Sequence, residues 1–282
     1  MITTEIMGGL GNQLFQIFNL ISYALTNKIP FYFENKTNIR EDRPFYWSNF
    51  FSALKPFLRD SHSKIPFYKE RGHNFNELVS FNEIGAPFKF VGYFQSYKYF
   101  QDNVKDIFKY IKLNEQKDIV INKYNNIYKL NQSISLHFRL GDYKNLQGFH
   151  PVLNISYYVS AISNIINRTE INNWNILYFY EHEDENVIKA NINMLQHRFK
   201  QIKFIPIDTE IVDYEQMLIM SLCQHNIIAN SSFSWWGAYI NTNPDKIICY
   251  PDIKHWFGPR LRQNDLDDMF PKEWVQIQIN QM

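Results

Sequence analysis

The sequence predicts an α/β protein built on a parallel sheet of Rossmann type. From Ser133 to Tyr250, short apolar runs that read as strands alternate with amphipathic runs that read as helices, the mark of repeated strand–helix units. Near the N terminus, MGGLGNQLF sets a glycine turn between a short strand and a helix. The 282 residues, 45 % of them apolar, suffice for one large or two ordinary domains with their own cores.

Taken in order, the first segment, EIMGGLGNQLFQIFNLISYALTNK, reads as strand, turn and helix, with Leu14, Ile17, Phe18, Ile21 and Leu25 on one helical face. Residues Pro30 to Glu34 form the second strand. From Asn35 to Asn131 the pattern is irregular, with aromatic and basic residues interleaved and short helical pieces such as Asn103 to Tyr110. The strand at Ser133 is followed by a helix near Ser156 to Asn167, whose Tyr158, Ala161, Ile162, Ile165 and Ile166 make a buried stripe. Then come a strand at Ile176 to Tyr180, a helix near Glu183 to Met194 and a strand at Ile202 to Ile207. The next helix opens on Asp213-Tyr214-Glu215-Gln216, a capping-box spacing, and buries Tyr214, Met217, Leu218, Ser221 and Leu222. A strand at Asn226 to Ala229 runs into the turn NSSFSWW and a helix, and the last strand is Lys246 to Tyr250.

Composition narrows the function. The 29 basic and 28 acidic side chains give a net charge of +1, which argues against nucleic acid as the main partner. The aromatic fraction of 17 % serves core packing and also offers stacking surfaces for sugars or bases. Cys223 and Cys249 lie in apolar segments and read as buried, reduced thiols without metal-type spacing. No secretory signal and no apolar run of membrane-spanning length is visible, so the expectation is a cytoplasmic protein without a stem, with peripheral attachment to a membrane left open.

Three stretches carry chemistry. In SISLHFRLGDY, period-two reading puts Ile134, Leu136, Phe138 and Leu140 on one face and Ser135, His137 and Arg139 on the other. Gly141 permits a turn, so Asp142 and Tyr143 project from the loop at the strand's carboxyl end, where ligands of open α/β sheets sit. The competing reading is an edge strand with a solvated face. In IIANSSFSWWGAYIN, a strand ending in Asn230-Ser231-Ser232 leads straight into a helix, so unpaired N–H groups and hydroxyls meet at one point, as in a phosphate site. Ordinary N-capping by Ser231 or Ser232, with Phe233, Trp235 and Trp236 in the core, explains the same residues. At the N terminus, Gly9 and Gly11 permit close backbone approach and Asn12 and Gln13 present amides, while Glu34 stands near the distance of a ribose-binding acid. The dinucleotide fingerprint is incomplete, because Leu14 takes the third glycine's place. The acidic runs Glu181 to Glu185 and Asp265 to Asp268 read as helix-favouring or solvated charge rather than metal ligands. His255 and Trp256 in PDIKHWFG are read as core packing, with closure over a ligand as the alternative.

Together MGGLGNQLFQ at residues 7 to 16, HFRLGDY at 137 to 143, MLIMSLCQHNIIANSSFSWWGAYI at 217 to 240 and the later HWFG resemble the α-1,2-fucosyltransferases of glycosyltransferase family 11. The resemblance implies a two-lobed GT-B-like fold: residues 1–130 as an N-terminal, acceptor-side lobe and 131–282 as a C-terminal lobe that binds the nucleotide sugar. It implies GDP-β-L-fucose as donor, a galactoside glycan as acceptor, inversion at the anomeric carbon, and neither cofactor nor metal. It places Arg139 on the donor pyrophosphate, Ser231, Ser232, Phe233 and Ser234 in a donor-phosphate turn, and Gly9, Gly11, Asn12 and Gln13 at the cleft. Two positions depart from the family pattern: Leu140 stands where many members have a second arginine, and Gln216 where they have an aspartate apparently reading guanine. Glu215 or Asp213 could supply the missing acceptor.

On this reading Arg139 and the N–H groups at Ser231 to Ser234 stabilise charge on the departing diphosphate. His137, Asn12, Asp142, Gln216 and Asn230 complete the expected site, and the sequence names no general base. Three other functions stay open: a glycosyltransferase using another nucleotide sugar, a Rossmann oxidoreductase using Gly9, Gly11 and Glu34 for NAD, and a non-catalytic glycan-binding protein.

Overall fold

The computed structural model describes residues 1–36, 38–40, 43–60 and 65–279. The chain divides into two compact units, residues 1–116 with 264–271 and residues 117–263 with 272–282. The division expected at 130/131 therefore falls at 116/117.

The first unit holds β1 (Thr3–Thr4), α1 (Leu10–Asn27), β2 (Phe33–Glu34), β3 (Asn38–Arg40), β4 (Arg43–Pro44), β5 (Leu58–Arg59), β6 (Phe67–Lys69), α2 (Phe81–Ile84), β7 (Lys89–Val91) and α3 (Val104–Tyr110), and α4 (Leu113–Tyr128) carries the chain across the division. Its main sheet is parallel with order β1-β7-β6, and β2 pairs in parallel with β5. Strands of two or three residues give a sheet little area of its own. The packing is done by rings: Phe15, Phe18, Phe33, Phe50, Phe51, Phe90, Phe94 and Phe100 are fully buried, with Phe18 edge-on to Phe100 at 5.4 Å and Phe88 edge-on to Phe90 at 4.9 Å. All five apolar residues expected on the α1 face are in place, four of them buried and Leu25 at its margin.

The second unit runs β8 (Ser133–His137), α5 (Ile155–Thr169), β9 (Asn175–Phe179), α6 (Glu185–Arg198), β10 (Lys203–Pro206), α7 (Asp213–Leu222), β11 (His225–Ile227), α8 (Ser232–Tyr239), β12 (Ile248–Pro251), α9 (Ile253–Trp256) and β13 (Val275–Ile277). Its six strands are all parallel in the order β10-β9-β8-β11-β12-β13. Counted from β8, that is the doubly wound order 3-2-1-4-5-6. The sheet is long enough in sequence, and apolar enough on both faces, to need helices on each side. β8 is central and every one of its residues is buried, which rules out the solvated edge strand. Ser135 on the polar side is not wet either, since its Oγ accepts from Asn226 Nδ2 at 2.7 Å.

α5 is held at its start by Asn154, whose Oδ1 accepts from the N–H groups of Ser156 and Tyr157. It buries Tyr158, Ala161, Ile162 and Ile165 as expected, together with Tyr157, whose hydroxyl donates to the Ile228 carbonyl at 2.5 Å. α7 starts differently from its sequence pattern. Val212 is the N-cap, Asp213 lies inside the helix, and Gln216 Nε2 donates to the Ile211 carbonyl at 2.6 Å, so the capping box is not formed. The two cysteines are free and buried.

Candidate functional site at the sheet switch point

The chain leaves β8 toward β9 on one side and returns through β11 on the other, so the crevice of a doubly wound sheet lies beyond the carboxyl ends of β8 and β11. The residues that meet there come from both loops. His137, the last residue of β8, has its ring 5.7 Å from that of Phe233 in the first turn of α8. Tyr143 OH donates to the Asn230 carbonyl at 3.1 Å. His137, Asp142, Arg139, Asn230 and the serine turn are thus brought to one edge, as the sequence predicts.

Arg139 is the organising group. Its Nη2 donates to Asp142 Oδ1 at 2.5 Å, its Nη1 donates to Glu181 Oε1, and its guanidinium lies over the Tyr143 ring, 5.0 Å from the centroid. Burial works against its charge, but Glu181, Tyr143 and Asp142 outweigh it and raise its pKa. His150 stacks on Tyr143 at 4.8 Å with an interplanar angle of 20° and in turn meets Phe257. The arginine fork is therefore fixed by two carboxylates and an aromatic column before it reaches any ligand.

Glu181 is the residue that sequence reading misses. It was read as loop charge, yet the β8–β9 register pairs His137 with Phe179, so residues two further along each strand, Arg139 and Glu181, are brought together. Gly141, at φ +36°, makes room for it: a Cβ there would come within 1.9 Å of Glu181 Oε2. Asp184, buried at 1 %, accepts from the Gly141 N–H at 2.8 Å and from Lys144 Nζ at 2.6 Å, bracing the same turn.

His137 is nearly enclosed. Burial pushes its pKa down to about 3, with Arg139 adding to the effect, so the ring is neutral across the physiological range. Its Nδ1 is buried and has no hydrogen-bond partner among the described residues. A neutral ring suits hydrogen bonding rather than charge neutralisation or acid catalysis.

At α8, Ser231 is the N-cap and its Oγ accepts from the Phe233 N–H at 3.3 Å. Ser234 Oγ accepts from the Ala229 N–H at 3.2 Å and donates to the Ser231 carbonyl at 3.4 Å. Ser234 is 1 % exposed, so its hydroxyl belongs to the turn and not to a ligand. Trp235 and Trp236 are core, as expected. Asn230 Nδ2 ties the turn to the carbonyls of Pro151 and Trp256, while its Oδ1 is buried without a partner among the described residues. His255, read as a residue that could close over a ligand, bonds through Nδ1 to Asp252 Oδ1 at 2.8 Å, and Trp256 is buried.

Gln216 lies in the first turn of α7, at the carboxyl side of the same sheet, with its amide N–H spent on Ile211. Glu215 is not free to replace an aspartate there. Its Oε2 accepts from Lys123 Nζ at 2.8 Å and from Tyr124 OH at 2.5 Å, and its side chain is only 12 % exposed.

The N-terminal residues belong to the first unit. The strained position of the turn is Gly8, at φ +75°, where a Cβ would meet Asn12 Nδ2 at 2.5 Å; Gly9 is the N-cap of α1 and Gly11 a buried helical residue. Asn12 Oδ1 accepts from Gln95 Nε2 at 2.8 Å. Gln13 is 1 % exposed and its Nε2 donates to the carbonyls of Gly8 and Pro44, which makes it a structural tie rather than a presented amide. Glu34, the proposed ribose acid of the oxidoreductase alternative, is paired with Lys36 and Lys89. No cluster of three or more metal-ligating side chains occurs among the described residues, and none of their helices is long and apolar enough to cross a membrane.

A doubly wound parallel sheet with an arginine fork and a helix N terminus at its switch point defines a nucleotide-binding type of α/β architecture. The family model described as Glycosyl transferase family 11 matches residues 1–278, and the chain belongs to that family. It is 27 % identical over 304 aligned positions to an α-1,2-colitosyltransferase of Escherichia coli, spanning 98 % of this chain and 99 % of that one. It is 31 % identical over 152 positions to the O-antigen biosynthesis glycosyltransferase WbnK of Escherichia coli, 51 % of this chain and 44 % of the relative. Among solved structures it is similar to a family 9 glycosyl transferase of Veillonella parvula, with a TM-score of 0.46 at 10 % identity over the whole of this chain and 87 % of that one. It is also similar to the ADP-heptose LPS heptosyltransferase II of Escherichia coli, with a TM-score of 0.35 at 12 % identity over 58 % of this chain and 43 % of that one. The protein is a glycosyltransferase, an enzyme that moves a sugar from an activated donor to an acceptor.

Proposed function

We propose that the protein transfers L-fucose from GDP-β-L-fucose to a galactoside hydroxyl of a surface glycan, forming an α-1,2 linkage with inversion. The observation that carries the diphosphate part of the proposal is the Arg139 fork just past β8, which lies over Tyr143, itself bonded to Asn230 at the opening of α8. When the glycosidic C–O bond breaks, negative charge grows on the leaving diphosphate. A guanidinium held in place and the N–H groups of the first turn of α8 meet that charge without reorganising. Ser231 and Ser232 form the turn, Asn230 fixes it, and neutral His137 lines the same edge beside Phe233. The acceptor hydroxyl attacks from the face opposite the diphosphate, and the resulting product carries the inverted anomeric configuration.

The linkage is supported by the full-length similarity to a protein named α-1,2-colitosyltransferase, and the glycan class by the similarity to one named for O-antigen biosynthesis. Colitose is fucose without its 3-hydroxyl, so the two donors differ at one polar group. A site that hydrogen-bonds the 3-hydroxyl rejects the deoxy sugar strongly, whereas a site that does not will use both. The test is transfer to a β-galactoside from GDP-fucose, GDP-colitose, UDP-galactose and ADP-heptose, each with and without excess chelator. The proposal expects α-1,2-linked fucoside from GDP-fucose, unaffected by chelator. Exclusive use of GDP-colitose refutes the sugar, use of a UDP or ADP donor refutes the nucleotide, and loss of activity restored by magnesium or manganese refutes the metal-free leaving group.

A further inference from the structure

Glu181 raises a question of charge balance that the donor-binding reading leaves unanswered. At the turn after β8, Arg139 and Lys144 are matched against three carboxylates: Glu181 and Asp142 on the arginine and Asp184 on the lysine. The cluster already has an excess of negative charge before any ligand arrives. A sugar diphosphate is a diester dianion that does not titrate between pH 5 and 8. Placed on Arg139, it would stand beside Glu181 Oε1, which already occupies Nη1. Like charges sharing one cation disfavour each other's ionised form, and of the two only the carboxylate can take up a proton in this range.

We propose that Glu181 takes up a proton when the donor diphosphate joins Arg139, so that the residue no longer competes with the diphosphate as a second anion on the guanidinium. The inference rests on the donor-binding reading above. The proton comes from solvent and returns to it when the diphosphate leaves. The geometry favours Glu181 over its neighbours for this role. Asp184 is locked by the Gly141 N–H on one oxygen and Lys144 on the other, with 1 % of its side chain exposed. Asp142 follows Arg139 by three residues within the same turn, with 46 % of its side chain exposed. Glu181, 40 % exposed, reaches the arginine from the loop after the neighbouring strand, with one oxygen on Arg139 and the other packed against the Gly141 α-carbon.

The groups that face it from every side are Arg139, Asp142, Tyr143 and Lys144 from the turn after β8, and Glu183 and Asp184 from its own loop. Burial first, then the nearby Glu183, Asp184 and Asp142, raise its pKa, and Arg139 offsets only part of that. A dianion added on the arginine weakens this remaining support, because the guanidinium charge is then shared.

The measurement is calorimetric titration of the wild-type protein with GDP-fucose, without acceptor, in buffers of different ionisation enthalpy at pH 6, 7 and 8. The slope of heat against buffer enthalpy counts protons taken up. The inference expects net proton uptake on binding, up to one per donor bound, and a Kd that weakens as pH rises, by at most about tenfold per pH unit, the limit for one linked proton. In Glu181→Gln, which keeps a hydrogen-bond donor without a charge, both uptake and pH dependence should vanish while affinity at pH 8 equals or exceeds that of wild type. Binding without proton uptake, or uptake that persists in Glu181→Gln, overturns the inference and leaves the donor site standing. Weaker binding by Glu181→Gln at every pH also overturns it, by making the carboxylate a simple positioning residue. Absence of GDP-fucose binding overturns the donor reading, and this inference with it.

Discussion

Replacing Arg139 with alanine removes more than one charge, and the structure allows the consequences to be separated. The guanidinium serves Glu181 and Asp142 through two different nitrogens and lies over Tyr143, with 19 % of its side chain exposed. Both carboxylates are substantially exposed, at 40 % and 46 %, so the folding cost of orphaning them is screened and should be about 1 kcal/mol or less. For catalysis, deletion of one preorganised donor to transition-state charge costs about 2.7–4 kcal/mol, or roughly 10²- to 10³-fold in kcat. Loss of charge-assisted hydrogen bonds to the ground-state diphosphate should weaken donor binding by about 1.5–3 kcal/mol, roughly ten- to a hundredfold. Arg139→Lys should recover little of either, because one ammonium cannot hold both carboxylates and a phosphate in a plane. The assays are thermal unfolding, initial rates at saturating donor, and donor titration. A folded Arg139→Ala protein that turns over near the wild-type rate would refute the reasoning.

Two further outcomes follow from particular side chains. Burial holds His137 at about 3 and His225 at about 4, and His225 Nδ1 accepts from the Ile247 N–H at 3.0 Å, which requires that nitrogen unprotonated. Their contributions to stability are complete above the unfolded value near 6.5 and are lost as pH falls below it, at up to about 1.4 kcal/mol per pH unit for each. Glu70 and Glu181, raised by burial, act in the opposite direction near pH 4.5, so urea midpoints at pH 6.5 and 5.5 give the cleanest comparison; equal midpoints would contradict the burial argument. Gln216→Asp cannot donate to the Ile211 carbonyl and should lose about 1 kcal/mol, partly offset by a favourable charge in the first turn of α7. If that turn reads the base, the same variant should bind GDP about tenfold or more tightly, and an unchanged GDP affinity would remove residue 216 from recognition.

The second unit was legible because a doubly wound sheet repeats one pattern, apolar strand then amphipathic helix, and central strands such as β8 leave few polar residues without a purpose. The first unit was not, since its strands are two or three residues long and its order comes from ring packing that has no sequence period. At the site, Arg139, His137 and the serine turn could be read directly, as each lies in a strand-to-helix transition. Glu181 could not, because its contact depends on which strand lies beside β8 and in what register. Ser234 and Gln13 show the converse limit: the right residue types stand at the right places, yet the fold itself uses their hydrogen bonds. The Asp213–Gln216 spacing suits a capping box, but Val212 caps α7 and Gln216 bonds backward to Ile211.

The central claim is that the diphosphate binds at the switch point of the second unit's sheet. A crystal structure of the protein with GDP tests it most directly. The account expects phosphate oxygens within about 3 Å of the Arg139 guanidinium and of N–H groups in the first turn of α8, the ordinary range of charge-assisted hydrogen bonds. GDP bound instead at the Gly8–Gly11 turn, with Arg139 still held only by Glu181 and Asp142, would contradict it.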